Sequence, residues 1–181
     1  MQLRNDNARY GLVAVAMHWL VALTVFGLFG LGLWMTGLTY YDPWYRQGPA
    51  LHKSIGVLLF VVMVARLAWR IYSPPPPALP SHSLLERAAA HTVHLWIYLI
   101  LFALMLSGYL ISTADGRAIE VFGLFSIPAT LTSIPQQEDL AGAIHWYLAL
   151  FLMALVLLHV AGALKHHFID RDRTLKRMLG R

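Results

Sequence analysis

Four long runs of apolar residues dominate the chain: Val13 to Met35, Leu51 to Ile71, Ala89 to Ile111 and Gly142 to His166. Each has about 20 residues, the length a helix needs to cross about 30 Å of hydrocarbon. No soluble domain or internal repeat interrupts them, so the pattern predicts an all-α, integral membrane four-helix bundle forming a single domain over residues 1–181. Four spans bring both termini to one side. The first connection, TGLTYYDPWYRQGP, is rich in Tyr and Trp and reads as an aromatic cap at the membrane interface. The second, SPPPPALPS at residues 73–81, cannot continue a helix and predicts a short extended link. The third, about Ser112 to Ala141, is long for a compact bundle, and its semi-apolar EVFGLFSIPATL predicts a folded lid.

Composition narrows the class. With 58% hydrophobic and 13% charged residues the chain is too apolar for a soluble globule. The apolar run after Tyr10 continues to Met35 without a cleavage site, so it is expected to stay as a membrane helix. The absence of cysteine excludes disulfides, thiolate-held iron–sulfur clusters and covalently attached haem. Any haem must be b-type, held by coordination and packing.

Arg4, Arg9, Arg66, Arg70, Arg87, Lys165, Arg171, Arg173, Lys176, Arg177 and Arg181 fall on the side of the termini and the proline link, against Arg46, Lys53 and Arg117 on the other. This bias predicts cytoplasmic termini. The basic tail RDRTLKRMLGR then reads as a retention signal in contact with anionic lipid, not as a nucleic-acid patch.

Histidines supply the candidate chemistry. His145 and His159 lie fourteen residues apart on the fourth run, nearly four whole turns, so both leave one helix face about 21 Å apart along the axis. His18 matches His159 in depth on the cytoplasmic side, and His52 matches His145 on the outer side. Two bis-histidine sites follow, and imidazole is a common axial ligand of haem iron. Each of the four histidines has a small residue one turn on: Ala22 after His18, Gly56 after His52, Ala149 after His145 and Ala163 after His159. Such residues leave room for a porphyrin lying against the helix. His91, His94 and His166 have Leu95, Tyr98 and Asp170 at that offset, which makes them poorer ligands. With Lys165 they are candidates for a quinone headgroup site near the cytoplasmic face. Arg66 and Arg70 on the inner side, and Lys53 on the outer, are candidate partners for haem propionates.

HWLVAL with His18, LHKSIGVLLFVVMVARLAWR with His52, Arg66 and Arg70, the AHTVHL stretch with His91 and His94, IHWYLA with His145, and LLHVAGALKHHF with His159 and His166 resemble the bacterial cytochrome b561 family. The resemblance covers most of the chain. It implies a bundle with two stacked b haems, His18 with His159 and His52 with His145 as axial pairs, and a quinone site associated with His166 in the superoxide-oxidising branch. The function it implies is electron transfer between a periplasmic partner and the quinone pool, with ubiquinone as the expected substrate. Two alternatives share the architecture: a superoxide:ubiquinone oxidoreductase, and a haem-b anchor subunit of a larger dehydrogenase or hydrogenase. A histidine-lined metal transporter is disfavoured because no Asp or Glu lies deep in a span. The outer side carries three cations against Asp42, Asp115, Glu120, Glu138 and Asp139, a balance of −2, whereas the inner side is at +7. A protein or neutral carrier is therefore the expected outer partner, because this face does not steer a small anion.

Overall fold

The structure, a computed structural model, describes residues 2–132 and 134–180; Arg181, counted above among the inner cations, lies outside them. Four helices carry the four apolar runs: α1 (Leu12–Met35), α2 (Gln47–Tyr72), α3 (Leu84–Thr113) and α4 (Gln137–Phe168). All four are long and apolar enough to cross a membrane. They are apolar nearly all round, because one side packs inward while the other meets lipid. Leu23, Leu106 and Leu157 lie on that outer surface, each at least 60% exposed.

The helices outrun the apolar segments at their ends because polar flanking residues continue the hydrogen-bonded spiral. α3 starts early on a capping box, in which the Ser83 hydroxyl accepts from the Glu86 backbone while the Glu86 carboxylate accepts from the Ser83 N–H. α2 stops at Tyr72, just before Ser73 and the four prolines Pro74–Pro77. There Asn5 of the N-terminal arm bonds both the hydroxyl and the carbonyl of Ser73. A short helix, α5 (Thr174–Met178), closes the end of the bundle that carries the termini. Its Arg177, buried, donates to the carbonyls of Ala8 and Pro77, and Trp19 donates to the Met178 carbonyl.

The expected lid is a hairpin of β1 (Ile119–Val121) and β2 (Phe125–Ile127), antiparallel with Glu120 opposite Ser126. Its turn carries Phe122 and Gly123 at positive φ, the backbone form that matches strand twist in tight hairpins. Ile119 and Val121 are buried under it. Ser54, near the outer end of α2, clips the hairpin in place by donating to the Glu120 carbonyl and accepting from the Phe122 N–H. The aromatic first connection is present as edge-to-face pairs of Trp34 with Trp44 and of Tyr40 with Tyr41 and Tyr45.

Packing is uneven around the bundle. α1 runs close along α2, α3 close along α4, and α2 links the two pairs through α3, whereas α1 and α4 pack less closely than these. Val21, Val25, Leu59, Met63, Ile100, Leu101, Leu104, Leu152 and Leu155 form one buried layer at mid-height. Without a hydrophobic drive between helices in lipid, contacts of this kind and a few polar bonds hold the bundle. On α2 the layer lies between His52 and Arg66, and on α4 between His145 and His159.

Candidate functional site

The gap between the helix pairs is spanned by imidazoles at two heights. His18 of α1 faces His159 of α4 with ring centroids 6.2 Å apart, and His52 of α2 faces His145 of α4 at 6.2 Å. A metal bound between two imidazole nitrogens at about 2.0 Å each, with roughly 1.1 Å from nitrogen to ring centre, separates the centroids by about 6.2 Å. Neither pair is close enough for its rings to bond directly, and both have the spacing that a bridged metal requires.

The outer pair is held by its surroundings. Nδ1 of His145 donates to the Leu104 carbonyl at 3.0 Å, with the Ser107 hydroxyl also at 3.0 Å. This bond puts the proton on Nδ1 and leaves Nε2 with a free lone pair, the arrangement expected of a metal-ligating histidine. A Cβ on Gly108 would lie 3.3 Å from His145 Cε1, and one on Gly32 would lie 3.5 Å from His52 Cε1. Each outer imidazole therefore leans on a glycine of the neighbouring helix. Nδ1 of His52 is buried without a partner among the described residues. A Cβ on Gly56, one turn from His52, would meet nothing within 4 Å, so space lies open beside that ring.

The inner pair is more polar. Arg66 of α2 approaches His18 Nδ1 with Nη2 at 3.1 Å and places its guanidinium 5.6 Å from the centre of the Tyr98 ring. A donating guanidinium requires a lone pair on Nδ1, which puts the His18 proton on Nε2. His94 of α3 stands edge-on to His159 at 5.0 Å, so the inner level holds three imidazoles. Arg70 is exposed, and Lys53 is half-buried at the outer end of α2.

The residues expected to gather around a quinone go to separate partners. His94 joins His159, and His91 is exposed. Lys165 pairs with Glu86 and, at 2.9 Å, with Asp170. His166 stacks on His82 at 4.3 Å and brings Nδ1 to 2.8 Å from Asp170 and 3.2 Å from Asp172. Burial works to raise the pKa of Asp172, but the Thr174 backbone and hydroxyl and His82 outweigh it and hold the carboxyl at about 2.

Sequence reasoning missed several of these residues. Gly32, Gly108, Ser107 and the Leu104 carbonyl act across helix interfaces, and no spacing within one run reveals them. His82 had a weak signal, a histidine between proline-rich link and helix cap, but its partner Asp172 is ninety positions away.

These features define a helical membrane protein whose facing imidazoles, in a chain without cysteine, suit b-type haem. The chain matches the family model for prokaryotic cytochrome b561 over residues 9–181. It is 55% identical over 181 residues to cytochrome b561 homolog 2 of Escherichia coli K12, covering 100% of this chain and 96% of the relative. It is 31% identical over 175 residues to the probable superoxide oxidase CybB of Yersinia pestis, covering 96% and 97%. With cytochrome b561 homolog 1 of E. coli K12 the identity is 25% over 184 residues, covering 96% and 98%. The chain belongs to the prokaryotic cytochrome b561 family, a family of bacterial membrane proteins with b-type haem, and the donor set present fits that group.

Proposed function

We propose that this protein carries electrons across the bacterial inner membrane through two b-type haems, one held by His18 and His159 and the other by His52 and His145, between an outer-face partner and a quinone near the cytoplasmic face. The observation that carries this reading is the equal 6.2 Å spacing of two imidazole pairs whose α4 members lie fourteen residues apart on one helix face. The haem iron supplies the one-electron carrier, and the protein sets its ligation, spacing and dielectric.

The residues divide the work. His145, oriented by Leu104, and His52 hold the outer position, and the hairpin clipped at Ser54 shields that end of α2 from water. At the inner position His18 and His159 would hold the haem iron, and the Arg66 guanidinium, which lies 3.1 Å from His18 Nδ1, would be close enough to serve a propionate. Arg70 and Lys53 are the further propionate partners. His166 is the candidate donor to a quinone oxygen, with Lys165, His91 and His94 as candidates toward the same end of the bundle, and ubiquinone is the expected quinone. The termini lie in the cytoplasm, where eleven of fourteen cations gather.

A superoxide:ubiquinone oxidoreductase is the second reading, favoured by the 31% identity to a relative bearing the name superoxide oxidase. The outer charge of −2 weighs against it. Selective haem loss tests the main reading. Replacing His145 or His52 by Ala should remove one haem and leave the other, and replacing His18 or His159 should do the converse. Retention of both haems, with six-coordinate spectra, in His145→Ala and in His159→Ala would show the pairing to be wrong.

A further inference from the structure

At the cytoplasmic end lies a second group of ligand-type side chains, separate from the facing imidazole pairs. His82 precedes α3, His166 ends α4, and Asp172 sits in the turn to α5. One carboxylate oxygen, Asp172 Oδ2, lies 2.9 Å from His82 Nε2 and 3.2 Å from His166 Nδ1, and all three ligand atoms are within 4.8 Å of one another. Ligands at about 2.0 Å on a tetrahedral ion are about 3.3 Å apart, so the two edges that meet at Asp172 are close to those of a zinc site.

Charge separates this triad from its surroundings. Lys165 pairs with both Glu86 and Asp170, and Arg177 directs its guanidinium to the carbonyls of Ala8 and Pro77. Asp172 thus faces two imidazoles and accepts from the Thr174 backbone N–H, and among the described residues no lysine or arginine forms an ion pair with it. Its side chain is only 10% exposed and those of His82 and His166 are 13% and 14% exposed. His166 Nδ1 is also buried without a well-directed hydrogen bond, although two carboxylate oxygens lie within 3.2 Å. Two buried imidazole nitrogens converging on one buried carboxylate oxygen make a cation-binding arrangement.

We propose that His82, His166 and Asp172 form a binding site for a divalent cation of the zinc class, with water as the fourth ligand. Two imidazoles select zinc and its neighbours over magnesium or calcium, which prefer all-oxygen sites. The three ligands come from three segments: the link before α3, the end of α4 and the basic tail. The ion therefore staples the tail against the bundle, together with the Arg177 and Trp19 bonds. The site uses Nδ1 of His166 and does not depend on the quinone reading, which concerns electron exchange at the same end.

The test uses the haem-loaded, detergent-purified protein, stripped of adventitious metal with a chelator and titrated with ZnCl2 by calorimetry. A limited trypsin digest with and without ZnCl2 accompanies it, because Arg171, Arg173 and Lys176 offer cleavage sites in the tail. One bound Zn2+ per chain is expected, with tail cleavage slowed at least about tenfold. His82→Ala and Asp172→Asn should each weaken binding by at least about tenfold and abolish the protection, with the haem spectrum unchanged. Glu86→Gln and Asp170→Asn should alter affinity by less than about threefold, because those carboxylates serve Lys165. An absence of zinc binding, or binding that survives His82→Ala and Asp172→Asn, would overturn the proposal. So would binding lost with Glu86 or Asp170 instead, which would move the ion to the neighbouring carboxylates.

Discussion

Gly108 offers the sharpest test of how the outer imidazole is held. A methyl group there would sit 3.3 Å from His145 Cε1 and 3.5 Å from Nδ1, whereas comfortable carbon contacts are about 3.5–4.0 Å. In Gly108→Ala the ring must retreat by a few tenths of an ångström. Because Cε1 lies between the two nitrogens, the movement disturbs both the bond to Leu104 and the aim of Nε2. Weakening one hydrogen bond costs about 1 kcal/mol, which is about a fivefold loss of affinity for the outer haem. Helix propensity works the other way: Ala in place of Gly favours α3 by about 1 kcal/mol, so the fold should keep its stability while the cofactor is held less well. Gly108→Val places further carbons against the ring and should empty the outer position. Gly32→Ala is the control, since its Cβ would meet His52 at an ordinary 3.5 Å. Haem per protein from the pyridine haemochrome, together with the rate of haem transfer to an excess of acceptor, reads both variants. If Gly108→Val retains its outer haem at an unchanged release rate, or if Gly32→Ala does more harm than Gly108→Ala, the account of the outer site fails.

His166→Ala should slow electron exchange with ubiquinone at unchanged haem content and spectrum; unchanged quinone kinetics would return His166 to a purely structural place beside His82. Superoxide should reduce the haems well below the diffusional ceiling of about 10⁹ M⁻¹s⁻¹, because the outer face is at −2 and its Arg117 is paired with Asp115. Near-ceiling reduction that falls steeply with salt in stopped flow would restore superoxide oxidation as the leading function. Asp42 anchors the aromatic connection by accepting from the Thr39 hydroxyl and backbone N–H, and these bonds hold its pKa below the ordinary 3.8. A depressed carboxyl stabilises above its ordinary pKa and loses that contribution as pH falls through the lower value. Near-ultraviolet circular dichroism of the Trp44, Tyr40 and Tyr45 group should accordingly be flat from pH 7 to about 4 and change only below; a transition between about pH 5 and 7 would exclude Asp42 as the anchor.

The four membrane helices were legible in the residues alone, because crossing a bilayer demands length and apolarity in each run separately and neither depends on neighbours. So were the heights of the histidines, because helical rise is fixed per residue. His18 could be set level with His159, and His52 with His145, before any contact was known. Absence of cysteine limited the haem chemistry in the same local way. Only the tertiary structure decided what surrounds each ring. Gly108, Ser107 and the Leu104 carbonyl reach His145 from α3, and Gly32 reaches His52 from α1, through rotations of helices about their own axes that apolar-all-round sequences leave undetermined. The same holds at the end that carries the termini. His91, His94, Lys165 and His166 all lie toward that end, which made them look like one site, yet His94 reaches the level of His159 and Lys165 goes to Glu86. His166 is brought to His82 and Asp172 by the fold-back of the link and the tail, segments without the periodicity that made the spans legible. Depth along the membrane normal is written in the residue number, whereas azimuth around the bundle emerges from packing.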